Sequence, residues 1–92
     1  MSQNGWRDFV NVCMSAQDEQ TLSAVLELFL TPEEKDSMGM RCLIIKALLA
    51  QEKTQREMAQ ELHVSIAKIT RGSNELKRTT SKTRKFLQDA FG

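Results

Sequence analysis

Apolar residues recur along this chain at helical spacing, and nowhere do they alternate as a half-buried strand requires. Trp6, Phe9, Val10, Cys13 and Met14 stand at i, i+3, i+4, i+7 and i+8, the stripe of an amphipathic helix with one wide apolar face. Asp18-Glu19-Gln20 ends or interrupts it, and Leu22, Val25, Leu26 and Phe29 predict a second helix from about Thr21 to Phe29. Leu30-Thr31-Pro32-Glu33-Glu34 is the sharpest helix start in the chain. Thr31 is the cap, Pro32 takes the first helical position, where a missing N–H costs nothing, and Glu34 completes a capping box. The helix continues through Met38-Gly39-Met40 into Arg41-Cys42-Leu43-Ile44-Ile45-Lys46-Ala47-Leu48-Leu49. That last run is apolar nearly all round, so a central helix buried on several sides is expected, with Arg41 snorkelling to solvent.

After the short connection Gln51-Glu52-Lys53, the stretch Thr54 to Leu76 reads as two short helices joined by a turn. Thr54-Gln55-Arg56-Glu57 has the Ser/Thr-x-x-Glu form of a capping box, and Met58, Ala59 and Leu62 fall on one face behind it. His63-Val64 breaks the pattern. Ser65 then caps a helix whose apolar positions are Ile66, Ile69 and Leu76, with Gly72 and Ser73 on the inward positions between the last two. A mid-helix glycine costs about 1 kcal/mol relative to alanine and calls for a reason such as close packing or a ligand against the backbone. Past Lys77-Arg78, a Thr79-Thr80-Ser81 loop leads to a last amphipathic helix carrying Phe86, Leu87, Ala90 and Phe91.

Six helices and no strand make this an all-α chain, and at 92 residues a single domain over 1–92 with little core of its own. The first two apolar stripes are therefore read as a dimerisation surface. A net charge of +1 hides an asymmetry: from Lys53 to Lys85 there are nine basic and three acidic residues, while the remainder has four basic and nine acidic. A basic excess gathered on a helix-turn-helix is the footprint of phosphate binding. In such a unit Ala67, Lys68 and Thr70 stand near the start of the second helix, where base edges are reached. Gln55 and Arg56 open the first helix and are placed to meet phosphates. A solvated helical hairpin is the plainer alternative.

Other chemistries find little support. Cys13 and Cys42 lie far apart without CxxC or His-paired spacing and are taken as small core residues, so neither a disulfide nor a metal is expected. No glycine-rich phosphate loop and no oriented nucleophile-base pair suggests an enzyme. No apolar run is long enough to cross a bilayer and the first residues do not form a signal peptide; a cytoplasmic location without membrane partners is the expectation.

LTPEEKDSMGMR followed by TQREMAQELHVSIAKITRGSN closely resembles the trp repressor family, over about Leu28 to Lys77. The resemblance implies a six-helix intertwined homodimer with a helix-turn-helix at about 54–76 and dimerisation helices at about 5–49 and 81–91. It also implies a repressor that binds double-stranded, palindromic operator DNA of tryptophan biosynthesis genes, with L-tryptophan as co-repressor. In the family the indole lies between two arginines, matching Arg41 and Arg71. Arg71 and Thr31 take the ligand carboxylate, carbonyls of Leu28 and Leu30 from the other subunit take its ammonium, and Ile44 and Gly72 line the ring. On DNA the resemblance gives Gln55, Arg56, Lys77 and Thr70 to the backbone, and Ile66, Ala67 and Lys68 to base edges, partly through water.

This sequence departs from the family at several of these positions. Glu75 stands where the best-known members carry a serine beside the ligand ammonium; it either pairs with that ammonium or repels the carboxylate. Ala59 replaces a DNA-contacting lysine, Lys68 a threonine, and His63 the usual turn glycine. A repressor of this fold with another ligand or none, and a helical protein-interaction module, remain as alternatives.

Overall fold

A computed structural model describes residues 3–92 as six helices: α1 (Gly5–Ser15), α2 (Glu19–Phe29), α3 (Pro32–Ala50), α4 (Gln55–Leu62), α5 (Ile66–Arg78) and α6 (Ser81–Phe91). Among the described residues there is no strand, in keeping with the all-α expectation.

Every one of these helices starts on a side chain that accepts an otherwise orphaned N–H. Asn4, Asp18, Ser65 and Thr80 do so for α1, α2, α5 and α6. Both expected capping boxes are complete. Glu34 N–H donates to Thr31 Oγ1 at 3.1 Å while Thr31 N–H donates to Glu34 Oε1 at 2.9 Å, and Thr54 and Glu57 repeat the exchange at the same two distances. Asp18 corrects the sequence reading. It begins α2 rather than ending α1, accepting from Thr21 N–H at 2.6 Å, so α2 starts two residues before the expected Thr21. A short acidic side chain before a helix is a start signal, because it meets the positive end of the dipole.

The chain divides into two compact units, the first ending at Asp36 and the second running Ser37–Gly92. In the first, Phe9 meets Phe29 edge to face at 5.3 Å between ring centroids, Trp6 stacks at a tilt on Phe9 at 5.7 Å, and Lys35 pairs with Glu27 at 2.8 Å. Neither α1 nor α2 has a buried residue; Trp6 is 73% exposed and Leu28 81%.

In the second unit the core is Ile44 of α3, Met58 of α4 and Ile69 of α5, with Met40, Ala47, Leu48, Ala59, Leu62 and Val64 packed around them. Two expectations are corrected here. Only Ile44 of α3 is buried, and Leu43 is 48% exposed, so α3 is not covered on several sides by its own chain. Cys42 is likewise exposed and Cys13 half-buried, so neither is a core residue. An apolar run signals burial only where something lies against each face, and this chain is too short to supply it.

His63 ends α4 in the left-handed region at φ 56° and ψ 44°, its N–H turned to the carbonyls of Ala59 and Gln60. The turn is thus made without glycine, by a residue type that tolerates this region at some cost.

Candidate functional site

Two stripes of side chains face each other across a cleft of about 380 Å³ in the second unit. From α3 come Ser37, Met40, Arg41, Ile44 and Ile45; from α5 come Lys68, Arg71, Gly72 and Glu75. Each set follows helical periodicity, so each is one face of its helix.

Gly72 sets how near the two helices come. A Cβ built there would lie 3.0 Å from Ile44 Cγ2 and 3.3 Å from Leu48 Cδ1, inside ordinary van der Waals separation. The mid-helix glycine thereby finds its reason in close packing, and the cleft beside it is narrow. Its charges are unbalanced: three cations, Arg41, Lys68 and Arg71, against one carboxylate, Glu75. Among the described residues none of the three cations is paired with a carboxylate, whereas Glu75 lies 3.5 Å from Arg78. The arrangement offers planar guanidinium groups from both walls, an apolar floor at Ile44, and excess positive charge, features that suit an aromatic ligand bearing an anionic group.

Of the residues expected to hold a ligand, the structure brings Arg41, Ile44, Arg71, Gly72 and Glu75 to this cleft. Leu28, Leu30 and Thr31 are instead at the α2–α3 junction, in the first unit. Four residues after Leu28 comes Pro32, which has no N–H to donate, and Leu30 N–H closes the helix onto Leu26 O at 2.9 Å. The Leu28 carbonyl thus stands at the negative end of α2, where a cation is favoured, whereas Leu30 is extended at ψ 141° and its carbonyl has left the helix direction. Thr31 Oγ1 accepts from Glu34 N–H, and its hydroxyl hydrogen remains to be given.

The residues expected on DNA are mostly surface side chains of α4 and α5. Arg56, Ala67, Lys77 and the half-exposed Ile66 point no charge into the core. Gln55 and Thr70 also tie the two helices together, because Thr70 Oγ1 donates to Gln55 Oε1 at 3.1 Å or to Ile66 O at 3.0 Å. Lys68, expected at base edges, lines the cleft. Sequence reading missed it there along with Ser37, Met40 and Ile45, although carrying the periodicity outward from Arg41 and Arg71 finds them all.

A second cleft of about 420 Å³ is lined by Leu48, Leu49 and Leu76 together with Lys77, Arg84 and Lys85. It offers no pair of facing guanidinium groups. No helix among the described residues is long and apolar enough to cross a membrane.

Similarity to known proteins shows the family. The family model described as "Trp repressor protein" matches residues 4–90. A "Trp operon repressor homolog" of Chlamydia caviae is 47% identical over 88 residues, covering 96% of this chain and 87% of that one. Homologs of the same description from Chlamydia trachomatis serovar L2 and Vibrio campbellii are 44% and 43% identical, covering 94% and 78% of this chain and 92% and 72% of theirs. With its all-helical fold and a family match over nearly its whole length, the chain belongs to the Trp repressor family, whose members are DNA-binding regulators of transcription rather than enzymes.

Proposed function

We propose that this chain works as a homodimer that represses transcription from a palindromic operator, with L-tryptophan in the α3–α5 cleft as co-repressor. The observation that carries the reading is the pair Arg41 and Arg71, brought to one narrow cleft by the close approach at Gly72. An indole ring suits the space between two guanidinium planes. Arg71 takes the carboxylate and Glu75 the ammonium, with the Thr31 hydroxyl and the carbonyls of Leu28 and Leu30 supplied by a second copy of the chain.

Dimerisation is supported by the apolar side chains that α1, α2 and α6 leave exposed, among them Trp6, Met14, Leu28, Phe29 and Phe86. Two-fold symmetry then calls for two half-sites about one helical turn apart. Gln55, Arg56, Thr70 and Lys77 meet the DNA backbone, Ile66 and Ala67 face base edges, and Lys68 stands at the border between that surface and the cleft. Ligand bound between α3 and α5 favours the orientation of α5 that enters the major groove. By linkage, operator DNA raises ligand affinity by the same factor.

The test is fluorescence anisotropy of a labelled palindromic operator of the trp type, titrated with and without L-tryptophan at two salt concentrations. Operator binding that tightens with L-tryptophan and weakens steeply with salt supports the reading. Salt-sensitive binding indifferent to L-tryptophan removes the co-repressor. Salt-insensitive or absent binding favours a module for protein partners instead. Glu75 on the cleft wall favours a second reading, a repressor of this fold with another ligand or none; Glu75→Ser newly conferring a response to L-tryptophan would establish it.

A further inference from the structure

We infer that Lys68 is a specificity-determining residue of the ligand site, the second cation for the ligand carboxylate, rather than a contact to DNA. This rests on the co-repressor reading above. Along α5 the cleft wall reads Lys68, Arg71, Glu75, so its charges run positive, positive, negative from the N-terminal end. An α-amino acid lying along that wall has one favourable direction, carboxylate toward Lys68 and Arg71, ammonium toward Glu75.

The helix itself adds to this polarity. Lys68 is in the first turn of α5, which has no acidic residue, so a cation sits on the positive end of a dipole with nothing to offset it. An anion there is favoured by both. A DNA phosphate is the competing anion, and the placement of Lys68 decides between them. At about 100° per residue, Lys68 lies within about 60° of Arg71, Gly72 and Glu75 around the helix, whereas Ala67 is turned about 100° away. Its side chain is therefore rooted on the cleft face and not beside Ala67.

The experiment is calorimetric titration of L-tryptophan into the full chain and its Lys68→Met and Lys68→Arg variants, followed by the salt dependence of operator binding at saturating L-tryptophan. Losing one partly exposed ion pair should weaken L-tryptophan binding about fivefold in Lys68→Met. Lys68→Arg keeps the charge and should remain within about twofold of the unsubstituted protein. The salt slope should be the same in all three proteins. A Lys68→Met affinity within twofold of the original, or a Lys68→Arg as weak as Lys68→Met, overturns the inference. So does a salt slope shallower by about 0.9 in Lys68→Met, the effect of one phosphate no longer neutralised, which would make Lys68 a DNA residue. Failure of the unsubstituted protein to bind L-tryptophan overturns the inference together with the reading beneath it, whereas the other outcomes leave that reading standing.

Discussion

Replacing Gly72 by alanine sets two opposed effects against each other, and the geometry says which is larger. Alanine is favoured over glycine inside a helix by about 1 kcal/mol. Its methyl, however, would stand 3.0 Å from Ile44 Cγ2 and 3.3 Å from Leu48 Cδ1. Carbon atoms pack best at about 3.5–4.0 Å, so the first contact falls short by about 0.5–1 Å. Ile44 is 4% exposed and packed in the core, which leaves it little room to yield. Forcing a methyl into such a site costs about 1–3 kcal/mol, so Gly72→Ala should lose up to about 2 kcal/mol net. Gly39 supplies the control, since it is also helical and a Cβ there meets nothing within 4 Å. Gly39→Ala should therefore gain about 1 kcal/mol. Urea denaturation followed by circular dichroism, at one protein concentration for all three proteins, measures both. Subtracting one variant from the other cancels the propensity effect and isolates the steric one. Equal stabilisation by the two alanines would refute the close approach of α3 and α5, and with it the narrowness of the cleft.

Three further outcomes follow from the structure. His63→Gly should raise stability by about 0.5–1 kcal/mol by relieving a left-handed non-glycine residue, seen as a higher urea midpoint; a lower midpoint contradicts the strain. The Thr54 backbone N–H, then the Thr54 hydroxyl, hold the Glu57 carboxyl below its ordinary 4.5. A depressed folded value means the capping box contributes fully above about pH 4.5 and is lost as pH falls through that lower value, so a carbon-detected titration of Glu57 with a midpoint at or above 4.5 would count against it. Arg71→Ala should abolish the effect of L-tryptophan on operator binding while changing nonspecific DNA affinity far less; equal losses in anisotropy would make Arg71 a phosphate contact.

Local chemistry is the most legible part of the sequence. Thr31 with Glu34, Thr54 with Glu57, and Ser65 all start helices as their types and spacing predict, because capping is settled by residues within one turn. Asp18 misleads because one acidic residue between two stripes reads equally as an end or a beginning. Arg41, Ile44, Arg71, Gly72 and Glu75 line one cleft because helical periodicity carries each to its face. Sequence gives Lys68 to DNA alone because spacing reveals the side of a helix but not what lies opposite it. Cys42 and Leu43 fail as core residues for a related reason: hydrophobicity records a preference for cover, and the cover has to come from somewhere.

The hydrogen bond from Thr70 to Gln55 gives the two short helices a common bearing. Anything that steadies α5 against its neighbour on the cleft side steadies the opening turn of α4 as well, and Arg56 with it. On the co-repressor reading the pair would act as a single jaw whose grip on a duplex is set by both helices together, so weakening that one bond should blur a response that neither helix makes alone.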